Sequence, residues 1–171
     1  MTALEHTSLQ LVRHAKSSWA DAVPDVDRPL SGRGRSAADA LARQVAEADE
    51  RPQIVICSPA VRARQTLTPI AAVLGSSAEI RIDPIVYDAG PVALLGLLRS
   101  MPPDAGAVMV IGHNPTIHDL AVRLVVPDDS DELTRLRAKF PTGALVTLVT
   151  PAPWARLAAG SARLHRFWTP R

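Results

Sequence analysis

The sequence predicts a three-layer α/β/α domain built on a mixed, mostly parallel six-stranded sheet. Short apolar runs recur at 9–12, 53–57 and 107–111, as expected of strands covered on both faces. Helical spacing of apolar residues follows them, the alternation that builds a parallel sheet with helices packed on it. The last two apolar runs, 144–149 and 164–168, succeed one another without a long helix between them. That places antiparallel strands toward one side.

Taken in order, Leu9, Leu11 and Val12 mark the first strand. Residues 21–30 carry Asp21, Pro24, Asp25, Asp27 and Pro29 and read as a loop. Ser31 is a good N-cap for a helix in which Ala38, Leu41, Val45 and Ala48 recur at helical spacing, with Arg35, Asp39, Arg43 and Glu47 mainly opposite. The run 53–57 is a second strand. A helix over 60–74 presents Val61, Leu67, Ile70, Ala71 and Leu74, and Pro69 is expected to kink or shorten it. A weak strand at 79–82 precedes a helix opened by Pro91 and reaching Arg99. The strand 107–111 leads into a helix from Thr116 to Val125. The polar stretch 127–142, acidic at Asp128, Asp129, Asp131 and Glu132 and basic up to Lys139, reads as a surface excursion.

A chain of 171 residues suits one domain, with its core over about 9–168. Its 47% hydrophobic and 21% charged residues are ordinary globular composition and argue against a disordered chain. A net charge of +2, with Lys and Arg scattered, gives no ground for nucleic acid or an anionic membrane as partner. The one cysteine, Cys57, excludes an internal disulfide framework and suits a reducing compartment. Met1-Thr2-Ala3-Leu4-Glu5-His6 lacks the cationic and apolar regions of a signal peptide, and no apolar run approaches the ~20 residues that span a bilayer. The expectation is a soluble cytoplasmic protein.

Three of the strands run directly into polar motifs: Arg13-His14-Ala15, Ser58-Pro59-Ala60-Val61-Arg62 and Gly112-His113-Asn114-Pro115. In open α/β sheets the carboxyl ends of parallel strands share one rim, where ligands bind. Two histidines and two arginines, distant in sequence, can therefore meet at one anion. A neutral His14 imidazole there can attack phosphorus and form a covalent phosphohistidine. Arg13 would neutralise phosphate oxygens with paired donors. Arg62 falls in the first turn of a helix, where free backbone N–H groups favour an anion, whereas Arg64 reads as a solvated helix arginine. Gly112 permits close approach of the backbone, and a protonated His113 would donate to the transferring phosphoryl group.

These pieces resemble the histidine phosphatase superfamily, with its phosphoglycerate-mutase-like fold, and within it the short SixA-type phosphohistidine phosphatases. The resemblance rests on Leu11–Ser17, Asp27–Gly34, Ser58–Thr66 and Gly112–Pro115, with Lys139–Ala144 as a late segment, and runs in order from about Leu9 to Val149. It implies His14 as nucleophile, with Arg13, Arg62 and His113 completing the phosphate pocket and Ser17 near the phosphate. Larger relatives use a carboxylic acid after the third strand to protonate the leaving oxygen. Here that region reads Val86-Tyr87-Asp88-Ala89-Gly90, without the usual glutamate-bearing insertion, so Asp88 and Asp27 are the candidate proton donors. An alkoxide leaving group needs such an acid, at ~10²–10⁴-fold in rate, and an imidazole needs less help. The short chain also leaves little material for a lid. Both features favour protein phosphohistidine as substrate over a small phosphate ester, and hydrolysis over mutase chemistry, with no metal and no cofactor.

Other readings fit less well. A cysteine phosphatase would pair Cys57 with Arg62, but only four residues separate them, one fewer than that class uses, and Cys57 ends an apolar run as a buried thiol would. A metal site on His113 and His118 fails because their i, i+5 spacing and the intervening proline keep them off one helical face, and Asp119 is a poor third ligand. His6 and His165 lie in terminal segments without evident partners. A catalytically silent phosphoprotein-binding module would not require a nucleophile.

Overall fold

The computed structural model describes residues 5–20 and 22–171. Met1–Leu4 of the N-terminal reading and Asp21 of the predicted loop lie outside them. Six strands, β1 (His6–Arg13), β2 (Ile54–Cys57), β3 (Glu79–Ile82), β4 (Ala107–Gly112), β5 (Leu145–Pro151) and β6 (Arg163–Trp168), form one sheet in the order β3-β2-β4-β1-β5-β6. β3, β2, β4 and β1 pair in parallel, β5 adds antiparallel to β1, and β6 adds antiparallel to β5. The expected mixed sheet is the observed one.

Alternation along the central strands divides the core in two. Leu9, Leu11, Ile54, Ile56, Val108 and Val110 face one side, and Val12, Val55, Cys57, Met109 and Ile111 the other. The second face is covered by α1 (Gly32–Ala46) and α2 (Val61–Leu74), through Leu41, Val45, Leu67, Ile70 and Leu74. The first face is covered by α3 (Ile85–Asp88), α4 (Pro91–Arg99), α5 (Thr116–Leu124) and α6 (Asp131–Ala138), with Leu94, Leu98, Leu120, Leu124, Leu133 and Leu136 buried. Strands apolar on both faces require exactly such a sandwich of helices.

Three expectations need correction. The stretch 127–142 is not merely an excursion: Ser130 Oγ accepts from Leu133 N and caps α6, whose Leu133 and Leu136 are fully buried. Pro69 neither ends nor shortens α2, which runs through it from Val61 to Leu74. Burial of Leu67, Ile70 and Leu74 outweighs the one backbone donor that proline removes. A further turn, α3, lies between the weak strand and the Pro91 helix, where no helix is predicted.

Register brings the three motifs to one rim. Arg13 lies opposite Gly112, and Cys57 opposite Ile111. β5 starts at this same rim, and Gly143 just before it, at φ 77°, donates its N–H to the carbonyls of Arg13 and His14, at 3.0 Å each. No helix of the described residues is long and apolar enough to cross a membrane.

Candidate active site

The rim is pinned by its backbone. His14 N donates to the Gly112 carbonyl at 3.0 Å, and Ser58 N to the Ile111 carbonyl at 3.0 Å. Thr66 Oγ1 accepts from Ala15 N at 3.0 Å and donates to the Arg62 carbonyl at 2.7 Å, tying the loop after β1 to the first turn of α2. Gly112 is required by packing: a Cβ there would stand 2.9 Å from Val86 Cγ1 and 3.1 Å from Ile117 Cγ1.

Around an open cavity of about 820 Å³ the structure gathers Arg13, His14, Ser17, Arg62, His113 and Asp88. His14 is buried. Its Nδ1 lies 2.7 Å from the Ala15 carbonyl, which can only accept, so the ring proton sits on Nδ1. Nε2 is then a lone pair, and Arg62 Nε donates to it at 3.2 Å. Burial, reinforced by His113, Arg62 and Arg13, pushes the His14 ring down to about 3 despite the opposing Ala15 bond, so it is neutral at ordinary pH. His113 stands with its ring centroid 5.0 Å from that of His14. Arg62 Nη2 lies 3.5 Å from its Nδ1, and its Nε2 donates to Ser58 Oγ at 2.7 Å. Burial first and Arg62 next push His113 down to about 4, against a smaller upward pull from Asp25. The protonated His113 expected from sequence is therefore a neutral ring in the ligand-free protein. Arg13 Nη1 donates to the Phe140 carbonyl at 2.9 Å, while its buried Nε has no partner among the described residues.

The residue that sequence reasoning missed is Asp25. Its carboxylate accepts from Arg62 Nη2 at 2.8 Å, from Arg28 Nε at 3.0 Å and from the Tyr87 hydroxyl at 2.9 Å, and its carbonyl accepts from Arg62 Nη1. Arg62 chiefly, then Tyr87 and Arg28, hold this carboxyl at about 2, against a smaller upward push from burial. Asp27, offered by the sequence as a proton donor, is exposed and does not line the cavity, and the carboxylate that this loop brings to the arginines is that of Asp25. Asp88, exposed at the end of α3, does line it. Ser17 Oγ accepts from Arg28 Nη1 at 2.9 Å, which places it on the cavity wall behind an arginine. The same Arg28 guanidinium lies 3.6 Å over the ring of the exposed Trp19.

The competing constellations do not assemble. Cys57 is fully buried and its thiol is pushed up to about 12 by burial, so it is not a nucleophilic thiolate. His118 Nε2 donates to the Leu136 carbonyl at 2.7 Å, a structural contact away from the cavity. His6 and His165 are exposed at strand positions remote from the rim residues.

The family model for the histidine phosphatase superfamily (branch 1) matches residues 9–88. A structure assigned as phosphohistidine phosphatase SixA from Nakamurella multipartitia is 34% identical, with a TM-score of 0.84 and 99% of both chains covered. An uncharacterized protein of Mycobacterium tuberculosis is 33% identical over 94% of this chain and its own full length. A phosphoglycerate mutase from Plasmodium falciparum, 17% identical, shares the fold with a TM-score of 0.65 over 96% of this chain and 91% of its own. The chain belongs to the histidine phosphatase superfamily and has the phosphoglycerate-mutase-like fold. Within the superfamily it groups with the SixA-type structures, which it matches from end to end.

Proposed function

We propose that this protein is a metal-independent phosphatase that works through a covalent phosphohistidine at His14 and takes protein phosphohistidine as its substrate. The observation that carries the reading is the state of His14: a neutral ring, its proton locked on Nδ1 by Ala15, with the Nε2 lone pair turned to Arg62. That is the form of imidazole that can attack phosphorus.

In the first step Nε2 bonds to phosphorus as the bond from phosphorus to the substrate nitrogen breaks, and the departing imidazole takes a proton from water. The His14 ring gains positive charge, which the Ala15 carbonyl stabilises from 2.7 Å. Arg62, whose Nε already reaches His14 Nε2, and Arg13, which lines the cavity, are the cations that take the phosphoryl oxygens. Burial first and Arg62 second hold His113 neutral, and the arriving phosphate dianion offsets the Arg62 part, raising the ring's affinity for a proton. Water then attacks phosphorus, the bonding pair returns to Nε2 and inorganic phosphate leaves.

The substrate class follows from what Asp25 cannot do. A carboxyl held at about 2 is ionised and has no proton to give, and the exposed Asp88 is the other carboxyl among the described residues that line the cavity. A substrate whose leaving group departs with little acid help, presented on a protein to an open cavity, fits this site better than an alkyl phosphate. The SixA names of the matching structures point the same way.

Quenching a reaction with a labelled phosphohistidine peptide should give an enzyme adduct that is acid-labile and alkali-stable, as a phosphoramidate is. His14→Ala should lose both adduct and turnover while keeping the fold, and chelation should leave the wild-type rate unchanged. An undiminished rate in His14→Ala overturns the proposal.

A further inference from the structure

A second concavity, of about 890 Å³, lies between α1, α6 and the C-terminal end of β6. Its charged lining is entirely cationic: Arg33 and Arg43 from α1, Arg135 from α6, Arg166 from β6, and Arg171 beside them. All five are exposed. None has a carboxylate within ion-pairing distance among the described residues, where the ion pairs are those of Arg28, Arg62 and Arg81. Arg166 Nη2 bonds the neutral Gln44 side chain, and Arg135 sits over the Phe167 ring, 5.6 Å from its centroid. Like charges held together without partners repel one another, so the groove is in deficit until an anion enters it.

The groove shares a wall with the catalytic cavity. Lys16, which lines that cavity, accepts through its carbonyl from Ser31 N at 2.9 Å and Ser31 Oγ at 3.0 Å, immediately before Gly32 and Arg33 of the groove. On the other side Pro170 packs on Gly143, whose N–H holds the carbonyls of Arg13 and His14. Arg33 and Arg43 are ten positions apart on one helix, a span of about 15 Å. That is too long for a single phosphate and matches a stretch of chain bearing several carboxylates, which arginines engage through paired donors.

We infer that this arginine groove is a docking site for an acidic segment of the protein whose phosphohistidine enters the catalytic cavity. The inference rests on the proposed function and supplies it with a partner: the substrate is a protein with acidic surface beside its phosphorylated histidine. Docking at the groove lowers KM and leaves the chemical step alone.

The test uses two synthetic phosphohistidine peptides, alike except that a flexible spacer is followed in one by a run of glutamates and in the other by a run of serines. The acidic peptide should show a KM lower by about tenfold, and the advantage should vanish at high salt. Arg43→Glu with Arg135→Glu should erase the advantage while leaving kcat on both peptides, and turnover of an aryl phosphate, unchanged. Equal KM values in the wild type, or an advantage that survives both substitutions, overturn the docking site while the phosphatase reading stands. Aryl phosphate turnover without cleavage of either peptide overturns the phosphohistidine reading, and the docking inference with it. Tight binding of a single-stranded RNA that competes away the acidic peptide would assign the groove to nucleic acid and overturn this partner.

Discussion

Two aspartates separated by one residue divide the work of the loop before α1, and only one of them touches the site. Asp25 gathers Arg62, Arg28 and Tyr87, whereas Asp27 faces solvent away from the cavity. Spacing along a loop carries no distance information, so this choice was not legible in the sequence. His14, Arg13, Arg62 and His113 were legible because each follows an apolar run, and the end of a parallel strand is a place in space as well as in sequence. The neutral state of His113 was not, because it depends on burial and on Arg62 standing 3.5 Å away. With Asp25 ionised, the question of a proton donor falls on Asp88. Asp88→Asn should lower kcat on phosphohistidine by much less than ~10²-fold and should act more strongly on an alkyl phosphate. Steady-state rates of the variant on both substrates decide it. Efficient alkyl phosphate hydrolysis abolished by this change would show that Asp88 is a dedicated acid and that the substrate class is wrong.

At the scale of elements, the strands and the long helices were readable from periodicity, and the short helices were not. α3 is one turn, too short for a 3.6-residue period to show. α6 presents only Leu133 and Leu136 to the core within a strongly charged stretch, yet its cap was visible: Ser130, acidic residues in the first turn, Arg135 and Arg137 in the last. The junction between α1 and the loop after β1 depends on a single glycine. A Cβ on Gly34 would lie 2.1 Å from the Lys16 carbonyl oxygen, and that contact is backbone on both sides, so no side chain can swing away. Ser31 fastens the same carbonyl from the helix cap. Gly34→Ala should therefore push α1 off the loop that carries His14, destabilising the fold by about 3 kcal/mol or more and lowering activity in parallel. Urea unfolding with an assay at each point checks it, and a variant of wild-type stability would mean that this contact is slack.

The whole molecule shows what the order of the strands makes possible and what it costs. Parallel pairing of β1, β2 and β4 sets two histidines side by side at one rim, and folding around them buries His14 and half-buries His113. It also assembles the arginine groove from residues as far apart in sequence as Arg33 and Arg166, which is why scattered basic residues gave no sign of it. Burial of the histidines has a consequence for stability. An unfolded histidine protonates near 6.5, whereas the folded His14 and His113 hold out to about 3 and about 4. Between those values the unfolded chain binds protons that the folded one refuses, so stability is complete above about pH 6.5 and declines as pH falls toward 4. From pH 7 to pH 5 each ring accounts for a loss of at most about 2 kcal/mol. Urea midpoints at the two pH values should therefore fall clearly for the wild type and considerably less for His14→Ala with His113→Gln, even if the double variant starts from a lower stability at pH 7. The comparison is within each protein, so a general weakening by the substitutions does not confound it. An equal decline in both proteins would place the acid sensitivity in other groups and refute the view that the two rings of the candidate site are folded in their neutral forms.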